Sequence, residues 1–276
     1  MTSSATEAAL GADWLSICRR AEEGAAGALR AFSGREERSR ASGMGEGGDV
    51  ALAIDRAAED AILAELEGTG LPLTVICEES GHLELAGGGP VHVVVDPIDG
   101  SRNAKRGIPA WCVSIAVAAG PLVGDVRCAY VRDGASGEEW WARSGEGAFL
   151  DGERLAELDP DGPLELVGLE FIHPHLVAEA ASGLQGAGVA RLRAVGSIAL
   201  TLCWVGGGRL DGMVSLAGCR SVDIAAGQLI LREVGGVLAF VDEQAPLESA
   251  PLELAWRSRV FAAAGEAGLA QLCTMR

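Results

Sequence analysis

Two aspartates, Asp96 and Asp99, stand three residues apart directly after the apolar run V-H-V-V-V at 91–95. Carboxylates crowded in this way repel each other unless a cation neutralises them, and hard divalent ions such as Mg²⁺ take oxygen ligands of this kind. Gly100 lets a backbone amide approach a ligand closely, and Ser101 offers a hydroxyl and a helix N-cap. Exposed amides suit an anion, so the segment predicts a cation site beside an anion site, although D-P-x-D-G alone also fits an Asx-rich turn.

Further acidic residues stand at the ends of predicted elements. The pair Glu78-Glu79 follows a short apolar strand, Asp55 lies early in a predicted helix, and Asp223 precedes an apolar helix. Each has an ordinary explanation alone, because strand ends are often solvated and an aspartate at a helix start is commonly an N-cap. Their combination with the two aspartates favours a site built from several carboxylates. The chain contains no G-x-S-x-G, H-E-x-x-H or P-loop motif.

The strand that carries the aspartates is predicted to end at Pro97, which cannot donate to a sheet ladder. Before it, residues 5–32 predict a long amphipathic helix and 49–67 a second helix. Residues 33–48 are polar and Gly-rich, which predicts a mobile loop or loose hairpin, with a lid as the alternative. Strands are predicted at 73–77, 91–96, 111–119, 122–131 and 139–150, the third and fourth as an antiparallel pair.

The second half of the chain continues the alternation of strands and helices. The apolar patterns predict strands at 164–169, 191–195, 210–215 and 237–241, and helices at 174–183, 197–205, 225–234 and 265–273. Strands interleaved with helices in both halves predict helices packed on sheets. We divide the chain into an N-terminal half, 1–145, and a C-terminal half, 146–276, although no linker marks the boundary.

The composition argues against several classes of protein. A net charge of −17 and a pI near 4.6 disfavour nonspecific nucleic-acid binding, which needs a basic face. Seven cysteines at irregular spacing, without a C-x-x-C pair, predict reduced and mostly buried thiols in a cytoplasmic protein. No apolar run reaches the ~20 residues of a membrane span. The N-terminus also lacks the pattern of a signal peptide, so no membrane association is expected.

The chain resembles the inositol monophosphatase family in three motifs that occur in the family's order. The family pattern reads E-E, then D-P-[IL]-D-G-[ST]-x-N, then [WV]-D-x-A-A-G, and here these are Glu78-Glu79, 96–103 and 222–227. Three motifs in order are more specific than any one of them. The resemblance implies a Mg²⁺-dependent, Li⁺-sensitive phosphatase acting on a small phosphorylated metabolite. It also implies a homodimer of α/β (α+β) layered sandwiches, αβαβα, with an antiparallel N-terminal sheet and a smaller, mixed C-terminal sheet.

The resemblance further implies which residues bind two metal ions. Glu78, Asp96 and the carbonyl of Ile98 would hold a first Mg²⁺, with Mn²⁺ as an alternative ion. Asp96, Asp99 and Asp223 would hold a second ion, with Asp96 bridging the two. Two metals ~3.5–4 Å apart neutralise phosphoryl charge, activate water and stabilise the leaving oxygen without a covalent intermediate.

The remaining roles implied by the resemblance concern the phosphate and the attacking water. Glu79 would bind a third, more weakly held ion through water. The amides of Gly100 and Ser101 would bind the phosphate. Asp55 and Ser101 would hydrogen-bond to the attacking water and orient it, and no protein nucleophile is required.

The substrate stays open within this chemistry. Inositol-specific members place an acidic residue seven positions before the last motif aspartate, where this chain has Leu216. A fructose-1,6-bisphosphatase or histidinol-phosphatase is therefore the alternative to an enzyme for an inositol-1-phosphate-type substrate. Arg191, Arg193 and Arg220 are the basic candidates for a second anionic group. The alternative of another class is a catalytically silent metabolite sensor, which we expect to lack a metal carboxylate or Ser101, and all of these are present.

Overall fold

The computed structural model describes residues 4–46, 48, 50–242 and 246–275. The first three residues of the predicted leaderless N-terminus, and Asp49 at the predicted start of the second helix, lie outside this range. The helices are α1 Ser4–Leu10, α2 Trp14–Leu29, α3 Arg35–Arg38, α4 Ala53–Gly68, α5 Ser101–Ala104, α6 Pro174–Gly186, α7 Ile198–Gly206, α8 Ser221–Arg232 and α9 Glu266–Cys273.

The strands fall into two large sheets and two small ones. They are β1 Ala41–Met44, β2 Val50–Leu52, β3 Leu73–Cys77, β4 Gly81–Leu85, β5 Val91–Asp99, β6 Cys112–Ala118, β7 Val126–Asp133, β8 Glu139–Arg143, β9 Gly147–Leu150, β10 Glu153–Arg154, β11 Leu166–Glu170, β12 Arg191–Arg193, β13 Gly212–Ser215, β14 Cys219–Arg220, β15 Val237–Phe240, β16 Arg257–Ser258 and β17 Val260–Ala263.

The first large sheet has eight strands in the order β10-β9-β8-β7-β6-β5-β3-β4. All of its neighbouring strands are antiparallel except β3 and β5, which run parallel. The second has five strands in the order β12-β11-β13-β17-β15 and mixes parallel with antiparallel pairs. These sheets confirm the prediction of an antiparallel first sheet, a smaller mixed second sheet and an antiparallel β6–β7 pair.

Helices cover both sheets and fill the space between them. On one face of the eight-stranded sheet, Trp14 of α2 and Ile62 of α4 belong to one apolar cluster with Val93. Helices α7 and α8 share a second cluster with strands of both sheets. Helices α6 and α9 pack with β11, β13 and β17 in a third cluster. Because every apolar face is covered by a neighbouring layer, the molecule is the predicted αβαβα sandwich.

The structure corrects the N-terminal elements. The predicted helix over 5–32 is broken at Gly11, and α2 restarts where Asp13 accepts a hydrogen bond from the Ser16 amide (3.2 Å), a local N-cap. The Trp14 indole closes the break by donating to the Ala9 carbonyl (2.8 Å). In residues 33–48 the predicted hairpin alternative is confirmed, because β1 pairs with β2, and the segment also includes the unpredicted α3. The second helix, predicted from 49, begins only at Ala53.

Several strands differ from the prediction in the rest of the chain, and β4, β10, β14, β16 and β17 were not predicted. Strand β17 was missed because it is only four residues long and directly follows polar 257–259, yet it pairs with both β13 and β15. The predicted strand over 139–150 is two strands, because Gly145 adopts φ 79 in the turn between β8 and β9.

The expectation of reduced and mostly buried thiols is met in the described residues. The seven cysteines are free thiols, and five of them are buried. None of the described helices combines the length with the apolar character that crossing a bilayer would require.

Candidate active site

The two motif aspartates flank a bulge in β5. Opposite β6, Asp96 pairs with Ser114 and Asp99 with Cys112, so β5 places one extra residue in this stretch. The prediction that the strand ends at Pro97 is therefore wrong, because a bulge leaves a residue unpaired and tolerates a proline inside a strand. The bulge puts both carboxylates at the same end of β5.

Gly100 turns the chain from β5 into α5. It has φ 91, and a Cβ at this position would lie 2.9 Å from the Ala110 carbonyl oxygen and 3.1 Å from that of Gly196, so other residues are excluded. Ser101 is the first residue of α5, and Gly100 precedes it, so the predicted N-cap role of Ser101 is wrong. The Asn103 side-chain amide donates to the carbonyls of Ala110 (2.7 Å) and Val195 (2.9 Å). The second of these bonds ties the turn to the segment that precedes α7.

Asp99 is held by the beginning of α7. Its Oδ2 accepts hydrogen bonds from the Ser197 hydroxyl (2.7 Å) and the Ala199 amide (2.6 Å). Burial raises the pKa of Asp99 to about 6, and these hydrogen bonds oppose the rise because they favour the charged form.

Asp96 is one of the buried motif carboxylates. It is 6% exposed, and its Oδ1 accepts a hydrogen bond from the Ile98 amide at 3.1 Å. Burial raises the pKa of Asp96 well above its usual range, and the nearby carboxylates of Glu78, Asp99 and Asp223 raise it further. Four acidic residues from three separate motifs therefore share one electrostatic environment, which a bound cation would stabilise.

Asp223 is the third residue of α8, which begins at Ser221 rather than at the predicted 225. Its carboxylate accepts from the Arg220 backbone amide (2.9 Å) and pairs with Arg220 Nε (2.7 Å). Arg220 Nη2 also lies 2.6 Å from Glu78 Oε1. The guanidinium thus lies between two predicted metal ligands. Burial alone would lower the pKa of Arg220, but the neighbouring carboxylates of Asp223 and Glu78 outweigh it and raise the pKa.

Asp55 and Glu79 form the other acidic side of the site. Asp55 Oδ2 accepts from the Leu52 amide (3.2 Å), whereas Asp55 Oδ1 and Glu79 Oε2 are buried without a hydrogen-bond partner among the described residues. Burial, with Glu79 as the next cause, raises the pKa of Asp55 to about 8. Burial, with Glu78 as the next cause, raises the pKa of Glu79 to about 7. Buried oxygens without donors are candidates for an unseen partner.

Two cavities join these residues into one cleft. The first, of about 430 Å³, is lined by Glu78, Asp96, Asp99 and Asp223. The second, of about 640 Å³, is lined by Asp55 and Glu79. Both are also lined by the same eight residues: Glu78, Ile98, Gly100, Ser101, Arg102, Phe171, His173 and Gly196. The structure therefore brings every predicted metal, phosphate and water-orienting residue to one cleft.

The predicted basic residues are placed differently. Arg191 is exposed and pairs with Glu165 at 3.1 Å, and the Arg193 guanidinium donates to the Leu192 carbonyl at 2.9 Å. Neither is among the residues that line the cleft. Arg220 does line the cleft, but its guanidinium is already paired with the Glu78 carboxylate.

Sequence reasoning missed two buried glutamates. Glu59, one turn after Asp55 on α4, is fully buried, and its Oε2 accepts from the Glu79 amide at 2.9 Å. Glu170, at the end of β11, accepts from the Thr201 hydroxyl (2.6 Å) and the Gly196 amide (3.1 Å). Burial raises the pKa of Glu170 to about 7. An acidic residue within an apolar helix face was the available signal for Glu59.

The oxygen ligands in the cleft are of the kind that binds Mg²⁺, but their side chains do not surround a common point. Carboxylate oxygens are what Mg²⁺ binds, and Asp55 and Glu79 each have a buried oxygen without a partner. With the side chains as they stand, no three His, Cys, Asp or Glu residues within the described ranges converge on one point. Arg220 lies between Glu78 and Asp223, so these two carboxylates would share their oxygens between a guanidinium and a metal.

The layered fold and its acidic cleft define the class of protein, and comparisons with known proteins agree. The model of the "Inositol monophosphatase family" matches residues 14–274. A "Fructose-1,6-bisphosphatase/inositol-1-monophosphatase" of Methanothermobacter thermautotrophicus is 36% identical over 236 residues, covering 82% of this chain and 83% of the relative. The "Nus factor SuhB" of Escherichia coli is 35% identical over 196 residues, covering 69% and 72%.

A solved structure supports the same fold. A protein described as an inositol monophosphatase–fructose 1,6-bisphosphatase superimposes with a TM-score of 0.82 at 24% identity, covering 96% of this chain and 100% of its own. The chain belongs to the inositol monophosphatase family. This confirms the resemblance carried by the three motifs.

Proposed function

We propose that the protein is a Mg²⁺-dependent phosphomonoesterase that hydrolyses a small phosphorylated metabolite with an activated water. The observation that carries the proposal is the convergence of Glu78, Asp96, Asp99 and Asp223 on one cleft beside the Gly100 turn. The family membership and the relative named as a bisphosphatase and monophosphatase support it.

In this proposal Glu78, Asp96 and the Ile98 carbonyl hold one Mg²⁺, and Asp96, Asp99 and Asp223 hold another. When bound, the ions neutralise the phosphoryl oxygens and lower the pKa of water. Ser197 and the Ala199 amide keep the Asp99 carboxylate in place from α7. This anchoring limits the movement of one ligand during turnover.

The phosphate and the water have their own residues. The amides of Gly100 and Ser101 bind the phosphate at the start of α5. Asp55 and the Ser101 hydroxyl orient the water, and Glu79 holds a third ion more weakly. Glu59 supports this side because it accepts a hydrogen bond from the Glu79 amide (2.9 Å) and so fixes the backbone that carries both glutamates.

We further propose an inositol-1-phosphate-type substrate, with fructose 1,6-bisphosphate or histidinol phosphate as the alternative. Leu216 replaces the acidic residue of inositol-specific members, which favours testing all three. We also propose a homodimer in the cytoplasm, as is common in the family.

The test is phosphate release in Mg²⁺ from inositol 1-phosphate, fructose 1,6-bisphosphate, histidinol phosphate and adenosine 3′,5′-bisphosphate. We expect turnover of at least one, abolished by Asp96→Asn. Asp60→Asn, at an exposed position of α4, is the matched control and should retain activity. Activity that survives in Asp96→Asn would refute the metal assignment.

A second candidate is a catalytically silent protein that acts through partners. The similarity to proteins named Nus factor SuhB favours keeping it. Silence on all four substrates, together with stabilisation by Mg²⁺, would support it. The prediction of no nucleic-acid binding rests on the net charge of −17 and is checked by titrating labelled RNA at low salt, where nonspecific binding is strongest.

A further inference from the structure

Two cations at the mouth of the cleft have no role in the chemistry proposed above. Arg102 lines both cavities, and Lys105 lines the second together with Asp55 and Ser101. Arg102 is the second residue of α5 and Lys105 directly follows its end. Residues three apart on a helical turn lie on the same side, so both side chains belong to one rim of the cleft.

Neither cation is held in an ion pair with a described residue, although Lys105 lies close enough to Asp55 for its charge to oppose the rise in the pKa of that carboxyl group. The side chains of Arg102 and Lys105 form no ion pair and no hydrogen bond with the residues that the structure describes. Their significance therefore lies in their position at the cleft and not in the lack of a partner alone, since other arginines of the chain also form no ion pair with the described residues. Lys105 is also the single lysine of the chain.

The other basic residues near the cleft are already engaged or lie outside it. Arg220 pairs with Glu78 and Asp223, and Arg191 pairs with Glu165. Arg106, in the same loop as Lys105, is exposed, donates to the Arg102 carbonyl (3.2 Å) and is not among the lining residues. Arg102 and Lys105 are therefore the cations that a ligand in the cleft can reach.

We infer that Arg102 and Lys105 form a second anion subsite, and that the substrate is a phosphomonoester carrying a further phosphate or carboxylate. Within the proposed function this selects the bisphosphate alternative over an inositol-1-phosphate-type substrate. The inference rests on the proposed function, because the first anion is the phosphate bound at Gly100 and Ser101. The planar guanidinium offers paired donors and the ammonium a compact charge, which together suit a phosphate or carboxylate. Arg102, inside the motif, thus helps to determine which class of substrate the cleft accepts.

The first experiment measures kcat/KM for fructose 1,6-bisphosphate and inositol 1-phosphate in wild type, Arg102→Gln and Lys105→Gln. We expect each variant to lose at least about tenfold on the bisphosphate, the change that ~1.4 kcal/mol of binding corresponds to. The loss on the monophosphate should be several-fold smaller. Lys105→Arg keeps the charge and should recover most of the bisphosphate activity.

Arg106→Gln is the matched control, because it removes the same charge from the same loop outside the cleft. Equal losses on both substrates would mean that the cations contact the hydrolysed phosphate and would overturn the second subsite. If Arg106→Gln lowered kcat/KM for the bisphosphate as much as the other two variants, the loss would reflect the net charge of the loop. This outcome would also overturn the second subsite.

The second experiment does not depend on turnover. Trinitrobenzenesulfonate modifies amines, and peptide mass spectrometry separates Lys105 from the N-terminal amine, which serves as the internal reference. In Mg²⁺, saturating fructose 1,6-bisphosphate should slow modification of Lys105 at least about fivefold, since a bound anion buries the ammonium, and inositol 1-phosphate should slow it much less. Equal protection by both ligands would refute the subsite. Selective protection in a protein that releases no phosphate would retain the subsite and refute the hydrolase.

Discussion

The carboxylates on the two sides of the cleft differ in what holds them. On the α7–α8 side, Asp99 accepts from Ser197 and Ala199, and Asp223 pairs with Arg220. On the α4 side, Asp55 and Glu79 each keep a buried oxygen without a partner. Hydrogen bonds and an ion pair within the protein hold the carboxylates of the first side. The second side keeps carboxylate oxygens that are free to bind a ligand. The fixed side can bind an ion with little rearrangement of its side chains. The open side can exchange water with the solvent.

The largest effect should come from the organised side. Asp99→Asn removes a carboxylate charge but keeps a similar shape beside Ser197, and we expect kcat to fall on the order of a thousandfold, as for loss of a preorganised electrostatic group. Steady-state phosphate release measures this. Asp60→Asn serves again as control, and a loss below tenfold would show that Asp99 binds no metal.

The second prediction tests the cation between the fixed carboxylates. Arg220→Gln leaves Glu78 and Asp223 without their guanidinium, and losing one partner of a buried pair costs about 3 kcal/mol of unfolding free energy without metal. Mg²⁺ should bind more tightly because it no longer shares these oxygens, and it should restore part of the stability. Urea unfolding and isothermal titration with Mg²⁺ measure both.

Arg209→Gln is the control for Arg220, because Arg209 pairs with Glu138 at a more exposed site (2.7 Å). It should cost no more than about 1 kcal/mol, the usual contribution of a surface ion pair. A weaker Mg²⁺ affinity in Arg220→Gln would mean that the guanidinium supports the ion instead of competing with it.

The third prediction concerns pH and Glu170. Its folded-state pKa of about 7 lies above the ordinary value of 4.5, so between these values the folded protein keeps a proton that the unfolded chain releases. The unfolding free energy should therefore fall as pH rises from about 4.5 to 7, by up to about 3 kcal/mol from this residue. Glu170→Gln should flatten this part of the stability curve, measured by urea unfolding across pH. The exposed-site variant Glu165→Gln should leave it unchanged, and a curve as steep as wild type in Glu170→Gln would contradict the assignment.

The smallest effect should come from support of the open side. Glu59→Gln weakens the hydrogen bond to the Glu79 amide, and loss of such support commonly costs 10–100-fold in metal affinity, so we expect about tenfold here. Titration with Mg²⁺ measures the affinity directly. Glu67→Gln, at an exposed position of α4, is the matched variant. Equal affinities for the two variants would show that Glu59 serves the fold alone.

Local sequence was enough to predict helices packed on sheets and to find the acidic motifs, whereas the αβαβα layering was implied by the resemblance to the family. Alternating and continuous apolar runs marked β3, β5, β6 and β7, because a strand's burial pattern is written in neighbouring residues. Local rules failed where two signals conflicted. Pro97 was read as a strand end, since nothing local distinguishes a terminus from a bulge that β6 continues to pair.

The sequence by itself determined the class of chemistry, because Glu78-Glu79, the D-P-I-D-G-S segment and Asp223 carry their types and order in the chain. Only the tertiary structure decided which charged side chains are paired within the protein. Arg220 meets Glu78, and Ser197 meets Asp99, through contacts between segments about a hundred or more residues apart. Such pairs depend on how the two sheets pack around α7 and α8. The same packing leaves Arg102 and Lys105 facing an open cleft, a property that no local pattern encodes.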